Sequence, residues 1–408
     1  MAKSDLVVGL DIGTTKICAV VGERTADGVD VVGIGTSPST GLRKGVVVNI
    51  EQTVTSIKKA LEEAELMAGC EIRTVYVGIA GSHIKGFNSH GVIAVKGGEV
   101  SHKDIERAID AAKAVAIPLD REVIHILPQE YIVDDQSGIA DPLGMAGVRL
   151  EVKVHIVTGA VTSAQNIIRS CHRSGLDVSD IVLESLASAK AVLTPEEREI
   201  GVALIDIGGG TTDVAIFAND SIKQTAVLAL GGTNLTNDIA FGLRTPMVSA
   251  EKIKVKYSCA MADMVTSDEI IEVPSVGGRE PRRLSRRVLA EICEPRMEEI
   301  LALVDQELVR SGYKNLIGAG VVLTGGSAMV EGIEELGEQI FNLPTRLGSP
   351  QYVGGLKDVV NSPQYATAVG LLLYGGEKGR PDQRFRIREK NIFNRILARM
   401  KRWFEDIS

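Results

Sequence analysis

Asp206-Ile207-Gly208-Gly209-Gly210-Thr211-Thr212-Asp213 is the stretch on which the reading of this chain turns. Short apolar runs, Val202-Ala203-Leu204-Ile205 before it and Val214-Ala215-Ile216-Phe217 after it, make it a strand, a glycine turn and a second strand. Three successive glycines carry no Cβ and tolerate positive φ, so the backbone can approach a bulky group closely. Consecutive N–H groups in such a turn form a concave anion nest, and Thr211 and Thr212 add hydroxyl donors. Asp206 and Asp213 would repel a phosphate directly. They fit one if a hydrated Mg²⁺ lies between, because Mg²⁺ keeps several waters and is held by one or two carboxylates plus phosphates. Alone, the stretch could equally be a tight hairpin whose glycines serve only the turn.

A second copy argues for the former. Asp11-Ile12-Gly13-Thr14-Thr15-Lys16 also sits between apolar runs, Leu6-Val7-Val8-Gly9-Leu10 and Ile17-Cys18-Ala19-Val20-Val21. Two Asp-Ile-Gly hairpins, 195 positions apart, suggest two related halves facing one ligand. A third element, Val321-Val322-Leu323-Thr324-Gly325-Gly326-Ser327-Ala328, reads as a strand and a Gly-Gly turn opening a helix from about Met329. In this order the trio resembles the actin, Hsp70 and sugar-kinase superfamily. That resemblance implies hairpins that grip phosphates and a Gly-Gly turn that holds adenosine. A Walker loop is excluded, since no Gly-x-x-x-x-Gly-Lys-Ser/Thr occurs.

At 408 residues the chain is too long for one core. Its five cysteines, odd in number and without Cys-x-x-Cys, argue against a disulfide framework or zinc site and for a reducing cytoplasm. Asp5 and Asp11 interrupt the first apolar stretch, so a signal peptide is not expected, and no run approaches the ~18 apolar residues of a membrane span. The net charge of −8 is uneven: residues 377–408 carry ten Lys/Arg against five Asp/Glu, leaving −13 on the remainder. So acidic a body is a poor nucleic-acid binder, while its basic tail suits another anionic partner.

Along the chain, helical spacing of Val54, Ile57, Ala60, Leu61 and Ala64 predicts a helix over 53–67, followed by a strand at 75–79. Residues 83–163 read as an inserted unit. Within it, Ser101-x-x-Asp104 is a variant capping box opening a helix to about 116, and strands at 123–127 and 150–157 flank a polar loop, 134–147. His125 and His155 alternate with apolar neighbours and read as satisfied strand histidines. Glu184 ends a strand just before a small-residue helix; it could orient an attacking water or simply start the helix. Ala229-Leu230-Gly231-Gly232-Thr233-Asn234 opens another helix. On the next one, Glu251 and Lys254 share a face, suited to ribose hydroxyls or to a surface ion pair. Arg279, Arg282, Arg283, Arg286 and Arg287 precede a helix over 289–309, with Arg296 beyond them. The strip is a solvated face or a receiver for an acidic peptide. Tyr352 to Leu356 and Gln364 to Gly370 read as a loop and a small-residue closing helix.

The tail is a separate object. Ile392, Phe393, Ile396, Leu397, Met400, Trp403, Phe404 and Ile407 fall within an arc of about 140° at helical spacing. Arg395 and Arg402 lie opposite, and Arg399 and Lys401 flank the stripe. It reads as an amphipathic membrane helix, with an ordinary core-packing helix as the alternative.

With the insert and tail in view, the whole chain resembles the FtsA family, the bacterial actin-like cell-division proteins. The segments that carry this are Gly41-Leu42-Arg43-Lys44-Gly45-Val46-Val47, Asp141-Pro142-Leu143-Gly144-Met145, Arg149-Leu150-Glu151-Val152, Val154-His155-Ile156-Val157-Thr158, Glu294-Pro295-Arg296 and the tail. The resemblance implies an α/β, actin-like ATPase fold: two halves around a nucleotide cleft, a small α+β insert and a C-terminal amphipathic helix. It implies subdomains at 1–82 (with 164–195 and 350–376), 83–163, 196–226 (with 311–349) and 227–310, then a linker at 377–390 and the helix at 391–408.

It further implies ATP and Mg²⁺ held by Asp11, Gly13, Thr14, Thr15, Lys16, Gly208, Gly209, Gly210, Thr211, Thr212, Asp213, Gly231, Gly232, Glu251, Lys254, Gly325, Gly326 and Ser327. Asp11 and Asp206 would meet the metal through water, with Glu184 and Asp206 as catalytic groups. The implied partners are the C-terminal tail of the tubulin-like FtsZ (at Arg282, Arg286 and Arg296), further copies of the chain in a polymer, an anionic membrane surface and other division proteins. The implied place is the cytoplasmic face of the cell membrane at the division site. Ser185 stands where the family pattern leads one to expect Pro, so any hydrolysis is expected to be slow at most. Two rivals share the superfamily. A small-molecule kinase would need a base aimed at an acceptor hydroxyl, and none is visible. A pilus-assembly actin homologue should lack the basic amphipathic tail. A chaperone would need a β-rich substrate domain after the ATPase unit.

Overall fold

The computed structural model describes residues 6–26, 28–266 and 268–377. The amphipathic tail at 391–408 and, except for Glu377, the linker lie outside them.

Two sheets that share a five-strand order organise the molecule, the first extended by the short strand Gly354–Gly355. In the first, Gly28–Pro38, Lys16–Thr25, Leu6–Ile12, Thr74–Ile79 and Asp177–Leu183 lie side by side. In the second the order is Ser221–Leu228, Thr212–Ala218, Val202–Ile207, Gly320–Thr324 and Thr345–Leu347. In both, the first two neighbour contacts are antiparallel and the last two parallel. The pairing of the two Asp-Ile-Gly hairpins thus extends to whole half-molecules. Every residue of Val202–Ile207 and of Thr212–Ala218 is buried, and apart from Asp206, Thr212 and Asp213 at the turn end these strands are apolar, because both faces are covered.

The helices Ile50–Ala68 and Val161–Arg173 cover the outer face of the first sheet. Asn49 caps the former by accepting from the Gln52 N–H, and Gly69 ends it in the left-handed conformation. Between the sheets run the small-residue helices Glu184–Val192 and Ala366–Glu377, which join the inner faces into one core. Their smallness has a use. A Cβ on Gly370 would run into the Ala187 carbonyl, and one on Gly9 would stand 2.7 Å from the Leu372 nitrogen, so only glycine allows these elements to approach so closely.

The insert is a four-stranded antiparallel sheet, ordered Lys85–Ala94, Arg149–Ala160, Arg121–Val133 and Gln136–Ile139, with the helix His102–Ala112 on one face. The Ser101/Asp104 capping box is present. The expected polar loop at 134–147 contains the strand Gln136–Ile139, whose Gln-Ser-Gly sequence gives no apolar alternation to announce it. His155 is a satisfied strand histidine: its ring meets Asn88 Oδ1 at 2.7 Å and Thr225 Oγ1 at 2.8 Å. His125 Nε2 accepts from the Leu183 N–H at 3.0 Å.

Three further expectations need correction. The helix after the Gly-Gly turn begins at Ile333, not near Met329. A 3₁₀ turn, Gly326–Met329, intervenes, and Glu331 is held extended by pairing with Cys259 and by the Ala260 N–H on its carbonyl at 2.7 Å. The long helix runs Arg286–Arg310, so Arg286 and Arg287 form its first turn, while Arg282 and Arg283 lie on the strand Arg282–Ser285. Nor is the arginine strip free along its whole length, although Arg279, Arg282 and Arg283 are exposed. Arg286, only 14% exposed, pairs with Glu269 at 2.8 Å and with Glu331, and donates to the Tyr257 carbonyl. Arg296 pairs with Asp238 and Glu299, and Arg282 reaches the Leu243 carbonyl. Spacing shows a cluster of cations; it does not show the distant acids that consume them.

Candidate functional site

The two hairpins turn alike. In each, four residues separate the last paired positions, and the first turn residue donates its N–H to the carbonyl of the fourth: Gly13 to Lys16 at 3.0 Å, Gly208 to Thr211 at 2.9 Å. Facing across the cleft, the loops interlock. A Cβ on Gly209 would lie 2.7 Å from Thr15 Oγ1, and one on Gly210 would lie 3.0 Å from the Lys44 Cα. These glycines therefore serve the approach of one half to the other as well as the turn.

Beside the loops lies a cavity of about 370 Å³. Its wall includes Asp11, Gly13, Thr14, Thr15, Lys16, Glu184, Asp206, Gly208, Gly209, Gly210, Thr211, Asp213, Glu251, Lys254, Gly325, Gly326 and Ser327. Sequence motifs scattered over more than 300 positions thus converge on one space. Thr212, Gly231 and Gly232 stand behind it. Thr212 Oγ1 donates to the Leu230 carbonyl at 2.9 Å, and the Gly232 and Thr233 N–H groups bond the Gly208 and Gly209 carbonyls at 2.9 and 2.7 Å. Their task is to brace the glycine loop. Ser327 Oγ adds a bond to the Gly208 carbonyl at 3.0 Å.

Glu251 and Lys254 are paired at 2.8 Å on the wall, and Thr236 joins both. The pair is thus part of the site's lining rather than a detached surface ion pair. Gly325 has φ 90° and ψ 163°, a conformation essentially reserved for glycine. Also on the wall are Gly45, Ser258, Pro363, Gln364 and Thr367, to which sequence reading gave no role. Gly45 lies in one of the family-like segments; for the others, folding alone supplies the proximity.

Four carboxylates share this space. Burial raises Asp11 to about 7, with Lys16 opposing and Asp206 adding to the rise. Burial, then Asp206, raises Asp213 to about 7. Glu184 is pushed well above its ordinary range by burial and by Asp11, Asp213 and Asp206. Asp206 is raised by burial too, against the hydroxyl bonds it accepts from Ser188 at 2.6 Å and Thr367 at 3.2 Å. Asp213 Oδ1 is buried and without a hydrogen-bond partner. So dense a set of acids, with one oxygen orphaned, fits a cation. Among the described residues, no group of three or more His, Cys, Asp or Glu converges tightly enough to hold a metal alone. The fit is therefore to a hard cation that keeps waters and takes further oxygens from a ligand, as Mg²⁺ does.

Glu184 owes its position to Gly78, where a Cβ would lie 2.9 Å from Glu184 Cγ. Ser185 follows it, buried, in the first turn of the helix.

Comparison with known proteins agrees with this architecture. Residues 203–370 match the family model "Cell division protein FtsA", and residues 81–158 match "SHS2 domain inserted in FTSA". The cell division protein FtsA of Pseudomonas aeruginosa is 55% identical over 406 residues, covering 98% of this chain and 97% of that protein. That of Neisseria meningitidis is 47% identical, covering 97% of each. Among solved structures, a chain of the PilM-PilN type IV pilus biogenesis complex superposes with TM-score 0.66 at 17% identity, over 90% of this chain and 98% of its own. MreB5 of Spiroplasma citri bound to ADP gives 0.53 at 16%, over 90% and 94%. At such identities the last two speak for the actin-like fold alone, so the pilus-assembly alternative has only the fold behind it. The sequence relatives speak for more: this chain belongs to the FtsA family of cell-division proteins.

Proposed function

We propose that this chain is an ATP-dependent, self-polymerising scaffold that tethers FtsZ filaments to the cytoplasmic face of the membrane at the division site and helps recruit later division proteins. The observation that carries the nucleotide part is the convergence of two topologically equivalent glycine hairpins and a Gly-Gly turn on one acid-lined cavity. The N–H groups of 14–15 and 209–210 would cradle phosphates, those of Gly13 and Gly208 being spent on closing the hairpins, Gly325 and Gly326 would admit the adenosine, and Glu251 with Lys254 would meet the ribose. Asp11 and Asp206 would hold Mg²⁺ through water. When bound, the ion supplies the positive charge that lets phosphates sit among carboxylates. Glu184, which burial and the neighbouring acids push well above the ordinary carboxylate range, would orient the attacking water, with hydrolysis slow at most.

The membrane part rests on the apolar arc and basic flanks of residues 391–408. One such helix is a weak anchor, since fixing a backbone costs roughly 1–2 kcal/mol per residue, which nearly offsets the ~1.5–3 kcal/mol of each large apolar side chain that is buried and the about 1 kcal/mol of each basic one near an anionic surface. A filament presents many tails at once, and later contacts become intramolecular. Polymer and membrane therefore favour one another. For the FtsZ tail, the region 227–310 remains the proposed dock, with Arg286 and Arg296 acting inside the fold. The test is reconstitution on anionic vesicles. FtsZ should co-sediment when the chain and ATP are both present, and Trp403→Glu should abolish this. Equal recruitment of FtsZ by the Trp403→Glu variant would overturn the tethering reading.

A further inference from the structure

The 3₁₀ turn Pro363–Tyr365 and the start of the helix after it touch both hairpins and the Gly325-Gly326 turn. The Pro363 carbonyl accepts the Gly325 N–H at 3.2 Å, and Thr367 Oγ1 donates to Asp206. Gln364 reaches the first hairpin: its carbonyl accepts from Lys16 Nζ at 2.7 Å. The ammonium also stands over the Tyr365 ring, 4.1 Å from its centre.

That placement is unexpected on electrostatic grounds. Lys16 lies in the field of Asp11 and Asp206, which would draw a free ammonium toward them. Among the described residues, it is instead bonded to a neutral carbonyl and backed by an aromatic face. An ammonium has three donors. One is spent on Gln364, so two remain for oxygens entering the cavity that Lys16 lines. A ring face attracts a cation most where water is excluded, and Lys16 is desolvated by burial.

We propose that residues 363–367 are a fourth element of this site, in which Tyr365 and the Gln364 carbonyl are positioning groups that hold the Lys16 ammonium ready for a phosphate oxygen. The inference rests on the nucleotide reading above. It differs from that reading in giving phosphate recognition a contributor, Tyr365, that is not on the cavity wall.

The test is a calorimetric comparison of ATP and adenosine on the full chain. The proteins are wild type, Tyr365→Leu, Tyr365→Phe and Lys16→Gln, each checked by thermal unfolding. Tyr365→Leu keeps bulk and loses the π face; it should weaken ATP about tenfold. Adenosine, lacking phosphates, should bind Tyr365→Leu as it binds wild type. Tyr365→Phe keeps the ring and should restore most of the ATP affinity. Lys16→Gln with Tyr365→Leu together should be no weaker than Lys16→Gln alone, because the ring acts only through the lysine. Wild-type ATP affinity in Tyr365→Leu, equal weakening of adenosine, or additive losses in the double variant would each overturn the proposal. A wild-type chain that binds no ATP would refute the nucleotide reading itself, and is told apart by the wild-type titration.

Discussion

Replacing Gly325 by alanine isolates what the Gly-Gly turn does, because its neighbour provides the control. At φ 90° and ψ 163°, a residue with a Cβ costs roughly 1–3 kcal/mol in backbone strain. The added methyl would also lie 2.6 Å from the Ile207 carbonyl oxygen and closer still to Asp206 Oδ1. A main-chain oxygen cannot swing aside as a side-chain end can. Relief by shifting Asp206 would disturb its bonds to Ser188 and Thr367, and overpacking of this kind costs about 1–3 kcal/mol. Together the penalty is about 2–6 kcal/mol, a large part of the roughly 5–15 kcal/mol that keeps a domain folded. A methyl on Gly326 meets only Gln364 Cβ, at 3.7 Å, which is ordinary contact. Gly326→Ala should therefore stay within about 1 kcal/mol of wild type. Urea unfolding of the three proteins measures the difference. If Gly325→Ala and Gly326→Ala unfold at the same midpoint, the close approach of the turn to the second hairpin is wrong.

Burial holds His155 at about 4, below its ordinary 6.5, so the folded chain keeps the ring neutral while the unfolded chain protonates it. Its stabilising contribution is whole above about pH 6.5 and is lost as pH falls toward 4, by roughly 2 kcal/mol on reaching about pH 5. Urea titrations at both pH values should show this excess slope in wild type and not in His155→Asn; equal slopes would refute it. Arg286→Ala should destabilise by about 1 kcal/mol, since it removes a largely buried guanidinium that bonds the Tyr257 carbonyl and two solvated acids, Glu269 and Glu331, while the exposed Arg279→Ala should stay within about 0.5 kcal/mol. Equal unfolding midpoints for these two would return Arg286 to the free surface. Trp403 is the sole tryptophan, so anionic vesicles should shift the chain's emission to the blue, more with ATP than without. No shift on adding vesicles would sink the membrane role of the tail.

Much of the cleft was legible before folding was known, because its chemistry is local. Asp206 to Asp213 and Asp11 to Lys16 each carry turn, donors and acid within eight residues, and both fold as hairpins. The unread parts depend on distance in the chain. Lys16 and Gln364 are 348 positions apart, and nothing at either end announces the bond. The resemblance puts Gly231 and Gly232 at the nucleotide, whereas they stand behind the cavity and brace the glycine loop, because a Gly-Gly pair signals close backbone approach without saying to what. The arginines misled for a related reason: Arg296 and Asp238 lie 58 positions apart, so local sequence shows Glu299 beside the cation but not its second acid. Likewise, Gln136–Ile139 has no apolar rhythm of its own and is a strand because the edge of Arg121–Val133 offered it bonds.

The most direct test of the central claim is calorimetric titration of ATP into the full chain, with and without Mg²⁺, beside Asp206→Ala. Wild type should bind one ATP per chain, and more tightly with Mg²⁺. Asp206→Ala, if its thermal unfolding confirms a folded chain, should keep the Mg²⁺-free affinity and lose the gain from the metal. An Asp206→Ala titration with the full Mg²⁺ dependence of wild type, or a wild-type chain that takes up no ATP, would contradict the account.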